Sequence, residues 1–247
     1  VDANVRQALA AAARPAARRG GAAGGRTALL AGANGRYGEA LLNQLLGCGD
    51  YDQVIALADA PMALGMRNLS LARPDALPSV DDAYLMVGAP GGPGTRSFYG
   101  RDAPFVQVHA QTALAVAQRA IDAGAQRMVL VMPTSAWQQM GNFHRGLGGS
   151  VELAVAQLPL VSLSIVRPVL PAASSTGSLL QRVASVYLSL QMLMMPRSIP
   201  TLTSPQIARA ILLAMRASAP GVSVLAADAL AALLDAPARV DAAPAVR

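Results

Sequence analysis

The stretch Thr27-Ala28-Leu29-Leu30-Ala31-Gly32-Ala33-Asn34-Gly35-Arg36-Tyr37-Gly38 decides how this chain is read. Thr27 to Ala31 is an apolar run with strand character, Gly32 to Gly38 is a glycine-punctuated turn, and Glu39 to Leu46 continues as an amphipathic helix. Strand, glycine turn and helix in that order bring the helix's first backbone N–H groups and a partial positive charge to one point, and the glycines let phosphates approach the backbone. α/β proteins hold a dinucleotide pyrophosphate in this way. The spacing here is G-x-x-G-x-x-G rather than G-x-G-x-x-G, so the inference rests on where the glycines stand more than on the pattern itself.

Beyond the turn, Gly47-Cys48-Gly49 reads as a glycine C-cap and Gln53 to Ala58 as a short buried strand. Asp59 closes that strand about 20 residues past the glycine turn, where an acidic residue meets the ribose hydroxyls of NAD in such units. The plain alternative is that Asp59 opens a turn before Pro61. In the ribose role its carboxylate repels the extra phosphate of NADP, so NAD is favoured. Arg36 pulls the other way, because a guanidinium in the loop can pair with that phosphate.

The remaining strands are expected at 68–72, 81–88, 127–132, 160–166 and 222–225, with helices at 106–123, 151–157 and 205–216 and a last one ending at Leu234. Gly124 caps the second helix and Ser204 the fourth. Residues 60–67 are too few for a full crossover helix between two parallel strands. Residues 1–25 and 237–247 read as flexible tails around one domain spanning 26–236. The 178–195 segment is apolar nearly all round yet short of the ~20 residues of a membrane span, so it suits burial in the domain or a homodimer or partner face.

The chain has 247 residues, 53% of them hydrophobic, which fits a parallel sheet buried on both faces. Its net charge of +6 is uneven. Residues 1–26 hold five arginines (Arg6, Arg14, Arg18, Arg19 and Arg26) against one acid, Asp2, and the rest is nearly balanced. No stretch interleaves basic and aromatic residues as a nucleic-acid groove would, so no nucleic-acid partner is expected. The first 26 residues lack the serine of a transit peptide and the apolar core of a secretory signal. A single cysteine, Cys48, forms no internal disulfide and fits a reducing compartment, the cytoplasm. The two histidines, His109 and His144, show no metal-ligand spacing, and no metal site is expected.

Taken together, Leu29 to Gly38, Ala123-Gly124-Ala125-Gln126-Arg127 and Val166-Arg167-Pro168 give the chain a resemblance to the atypical short-chain dehydrogenases/reductases, in particular their NmrA-like and epimerase-like NAD(P)-binding branch. The resemblance covers residues 26 to 236 and implies a Rossmann-like, doubly wound, mostly parallel α/β sheet in one domain, with a small C-terminal substrate or partner region. It implies a cofactor loop of Gly32, Asn34, Gly35, Arg36, Tyr37 and Gly38, a ribose-selecting Asp59, and Asp75 near the adenine. Gly88 and Ala89 would pass beside the nicotinamide ribose, with Pro168 flanking the nicotinamide.

Active members of that family use a Tyr four residues before a Lys, the Lys lowering the tyrosine pKa for proton exchange with substrate. This chain contains no lysine. Lining up the helix before Val151-Glu152 puts His144 at the Tyr position and Gly148 at the Lys position. Arg145 is one place off and too basic for a proton relay. No catalytic residue is therefore assigned. Three readings stand: a nucleotide-binding regulatory or structural protein without the chemistry, an oxidoreductase or isomerase using His144 or Ser135, and an interaction module with a vestigial site and a 178–195 partner face. Trp137 would wall a pocket or simply pack.

Overall fold

A strand buried on both faces needs an unbroken apolar run, and a parallel neighbour needs a crossover that covers one of those faces. The computed structural model describes residues 25–59, 68–88, 105–134, 146–169 and 202–235, with the backbone alone at Gly35 and Arg36. Within them the chain forms β1 (Thr27–Ala31), α1 (Gly35–Gly47), β2 (Gln53–Leu57), β3 (Leu69–Ala72), β4 (Asp82–Met86), α2 (Ala110–Asp122), β5 (Arg127–Val131), α3 (Ser150–Ala156), β6 (Ser162–Val166), α4 (Ser204–Arg216), β7 (Gly221–Leu225) and α5 (Ala227–Asp235). The seven strands make one sheet in the order β3-β2-β1-β4-β5-β6-β7. Every pair is parallel. The order reverses between β1 and β4, and this doubly wound arrangement is the Rossmann-like α/β fold.

Alternation along the strands sorts the core into two layers. Ala28, Leu30, Val54, Ala56, Tyr84 and Val129 join Leu41, Leu42 and Leu45 of α1, Ile207 and Ile211 of α4 and Leu230 of α5. Leu29, Ile55, Leu57, Leu85, Met128 and Leu130 join Ala113, Val116, Ala117 and Ala120 of α2 and Val155 of α3 on the opposite face. Burying each leucine or isoleucine contributes roughly 1.5–3 kcal/mol before chain entropy is counted. An Arg216–Asp50 pair at 2.7 Å ties the end of α4 to the turn after α1.

The strand positions read from the sequence agree with these to within two residues, and the sheet is parallel throughout. Three local expectations are corrected. First, α1 begins at Gly35, so Gly35 to Gly38 are its first turn and not part of a loop. Second, α2 begins at Ala110 instead of Val106, because Val106 and Val108 are held extended by β2 and β4. Third, the N-cap of α4 is Thr203, whose backbone N–H and hydroxyl both meet Gln206 Oε1 at 2.9 Å; Ser204 is already helical. β2 and β3 are parallel neighbours although residues 60–67, outside the described residues, leave no room for a full crossover helix. Also outside the described residues are Ala89, Ser135, Trp137, His144, Arg145, the 178–195 segment, residues 1–24 of the first tail and the whole of the second.

Candidate functional site

Every strand of a parallel sheet points its carboxyl end the same way, so the residues leaving those ends gather along one edge. Ordered across the sheet, that edge carries Asp75 beyond β3, Asp59 beyond β2, Gly32 after β1, Gly88 beyond β4, Pro133 and Thr134 after β5, and Pro168 after β6. The fold thus brings Asp59, Asp75, Gly32, Gly88 and Pro168, scattered over more than 130 residues, to one line. The crevice of an open α/β sheet lies along this edge, at the point where strand order reverses. Here that point is between Gly32 and Gly88.

Backbone packs directly on backbone at that point. Gly32 has φ +84°, and a Cβ on it would stand 2.5 Å from the Met86 carbonyl oxygen at the end of β4. A Cβ on Gly38 would stand 2.2 Å from the Gly32 oxygen. Both positions therefore require glycine, one for its left-handed conformation and close approach, the other for close approach alone. Asn34 is the N-cap of α1, but its side chain makes no capping hydrogen bond, and the first turn holds no acidic residue. A helix N-terminus without a side-chain cap or an acid in its first turn favours an anion. Gly88, with φ +135°, passes Pro133, whose Cδ would lie 3.0 Å from a Cβ there.

The charged residues of the edge differ in how they are used. Asp59 is exposed. Asp75 is exposed too and pairs with Arg73 at 3.3 Å in the turn after β3. Such a surface pair is worth ~0–1 kcal/mol and leaves the carboxylate accessible. Pro168 is buried, and its carbonyl accepts the Thr134 N–H at 2.9 Å, continuing the β5–β6 ladder past both strands. His109 is the N-cap of α2, exposed, with its N–H on Thr112 Oγ1 at 3.1 Å. Cys48 is half-buried at the end of α1, its thiol on the Leu45 carbonyl at 3.3 Å.

Behind the β6 end lies an ion pair that sequence reasoning missed. Glu152 and Arg167 are both buried and meet through two parallel hydrogen bonds, Arg167 Nε to Oε1 at 2.8 Å and Nη2 to Oε2. Glu152 Oε2 also accepts the Gly148 N–H at 2.8 Å, and Arg167 Nη2 donates to the Gly146 carbonyl at 2.7 Å. Burial pushes the Glu152 carboxyl up, but the Arg167 hydrogen bond and charge and the Gly148 and Gly149 N–H groups outweigh it and hold it below the usual range. The pair pins the loop containing Gly148, the position the resemblance gave to the lysine. Two charges framing an apolar helix and strand were the available signal.

A second cluster occupies the opposite edge. Asp82, almost fully buried at the start of β4, accepts Arg127 Nε at 2.7 Å, Arg127 Nη2 and Tyr51 Oη at 2.8 Å, and Arg26 Nη2. Tyr51 and Tyr84 share a hydrogen bond of 2.7 Å and meet edge to face. Arg26 lies over the Tyr51 ring. Burial first, then the Asp82 charge, pushes the Tyr51 hydroxyl up; burial and the neighbouring Tyr51 do the same to Tyr84. A cavity of about 220 Å³ opens beside this cluster, but its charged walls already satisfy one another.

No protein-family model matches the chain, and no curated protein matches its sequence. Solved structures do resemble its backbone. A candidate short-chain dehydrogenase/reductase from Burkholderia xenovorans is 15% identical, covering 85% of this chain and 97% of its own, with a TM-score of 0.49. The reductase domain of a nonribosomal peptide synthetase from Mycobacterium tuberculosis is 17% identical over 92% of this chain and 71% of its own, at 0.47. The Bordetella bronchiseptica enzyme WbmH, solved with NAD+, is 14% identical over 81% and 74%, at 0.43. Likeness at this level adds nothing to what the topology establishes by itself. Among the described residues no group of three metal-ligating side chains occurs, and no helix is long and apolar enough to cross a membrane.

Proposed function

We propose that the carboxyl edge binds a nicotinamide dinucleotide and that the chain is a nucleotide-binding regulatory or structural protein without the Tyr–Lys proton machinery. The observation that supports this best is the double glycine contact at the switch point, where Gly32 meets the Met86 carbonyl and Gly38 meets the Gly32 carbonyl. Side chains there would fill the space that a pyrophosphate needs against the start of α1.

In this reading Gly32, Asn34, Gly35, Arg36, Tyr37 and Gly38 form the pyrophosphate loop. Asp59 accepts from the ribose hydroxyls and Asp75 lies by the adenine. Gly88 and Ala89 pass the nicotinamide ribose, and Pro168 flanks the ring. The exposed Asp59 carboxylate favours NAD over NADP. The bound group would supply hydride chemistry, but the chain has no lysine to hold the ribose and lower a tyrosine pKa, so binding is the proposed function.

Titration of the purified protein with NADH and NADPH, read by nucleotide fluorescence, tests this. Micromolar binding with a preference for NADH that Asp59→Ala erases is the expected result. No binding of either nucleotide by folded protein overturns the reading. Turnover of a carbonyl substrate that His144→Ala abolishes would replace it with an enzyme.

A further inference from the structure

β1 leaves the sheet at Ala31, and residues 105–108 take up the gap that it leaves between the extensions of its two neighbours. Phe105 bridges Ala58 beyond β2, and the Val106 N–H donates to the Leu57 carbonyl at 2.9 Å. Val108 bridges Val87 beyond β4, and its carbonyl accepts the Gly88 N–H at 3.4 Å. The segment is strung from the neighbour of Asp59 to the neighbour of Gly88, across the middle of the crevice. Its polar member is Gln107. Among the described residues, Gln107 Nε2 is the buried side-chain nitrogen or oxygen that has no hydrogen-bond partner. Native proteins pair the large majority of such atoms, and this one belongs to the segment strung between the two strand ends, within reach of an acceptor from outside the chain once its amide turns.

We propose that Gln107 is a cofactor-binding residue whose amide Nε2 donates to an oxygen of the bound dinucleotide, on the pyrophosphate or on the adjoining ribose. The crevice centre is where those oxygens lie when the pyrophosphate sits on α1, and so the inference rests on the dinucleotide reading. The terminal torsion of a glutamine is broad and roughly two-fold, so the amide reorients at little cost when an acceptor arrives. No charge is needed for this contact, which suits a segment half-buried between two strand ends.

Gln107→Leu tests it, with NADH, ADP and AMP titrated against wild type and variant. The expected result is NADH binding weakened about tenfold, with the thermal midpoint unchanged or raised because the orphaned donor is gone. A loss seen with ADP but not with AMP points to the second phosphate as acceptor; a loss with both points to the ribose or first phosphate. Wild-type binding with unchanged Gln107→Leu affinity overturns this proposal alone, and a trapped water is then the partner of Nε2. Wild type that binds no nucleotide overturns the dinucleotide reading and this inference together. Should Gln107→Leu fail to fold, Gln107→Met carries the test: a side chain of similar length and shape with no donor lowers affinity as far, and unchanged affinity is again the overturning result.

Discussion

The two edges of this sheet are made of different materials. At the amino edge, side chains do the work: Arg26, Tyr51, Tyr84 and Arg127 converge on one aspartate, Asp82, and close the end of β1 against β4. At the carboxyl edge, between the same two strands, the tightest contacts are glycine against backbone, Gly32 on the Met86 carbonyl and Gly38 on the Gly32 carbonyl. One edge is held by side chains that pair with one another, and the other by backbone packed on backbone. A charged cluster alone is therefore a poor guide to where a protein acts; the amino edge has more charge and a cavity, and yet Arg26, Arg127, Asp82, Tyr51 and Tyr84 already pair with one another there.

The largest effect is expected where the carboxyl edge does borrow a buried ion pair. Glu152→Gln strands the Arg167 guanidinium in the interior and should cost about 3–5 kcal/mol in urea unfolding. Because the Glu152 pKa is depressed on folding, its contribution is fully present above the ordinary glutamate value of about 4.3 and is lost as pH falls through the lower folded value. Wild-type stability should thus decline below about pH 4.3, and the variant should show a shallower decline there. Next, Gly38→Ala forces a Cβ into the Gly32 carbonyl and should cost about 3 kcal/mol, with NADH binding lost in whatever protein remains folded. Asp82→Asn should cost about 2 kcal/mol, less than a wholly enclosed pair because both arginines reach water. It should leave nucleotide affinity untouched; a change in affinity would erase the contrast between the edges. The smallest effect carries the opposite sign. Gly47, on the same helix as Gly38, has nothing within 4 Å of a Cβ, so Gly47→Ala should stabilise by about 0.5 kcal/mol.

What the sequence disclosed follows the range of the interactions concerned. Strands and helices are read from periods of two and 3.6, which are local, and so the β1-α1-β2 unit and the parallel sheet were legible. Glycines confuse that signal in one place: Gly35 and Gly38 look like turn residues although they begin α1. In a second place Val106 and Val108 look like the start of a helix, because a helical pattern follows them. Only contact with β2 and β4 shows that they are extended, and the same contact is what makes Gln107 visible. The Asp82 cluster was illegible because Asp82 meets Arg26 and Arg127 from 56 and 45 residues away, through strand register. The candidate site falls between these cases. Its glycines and Asp59 announce themselves by spacing, whereas the alignment of Asp59, Gly32, Gly88 and Pro168 along one edge exists only after the sheet is wound.

The winding order also sets a timetable for the nascent chain. β1 stands next to β2 and β4, and β4 ends at residue 86. From the completion of β1 to that of β4, 55 further residues must be added, which takes roughly 3–11 s at about 5–20 residues per second. Throughout that interval the side of β1 that will meet β4 has no neighbour, and an apolar strand with an open ladder is a template for pairing with the wrong chain. Early synthesis, before Asp82 can reach Arg26, is therefore the period in which this protein depends most on being kept apart from its own copies.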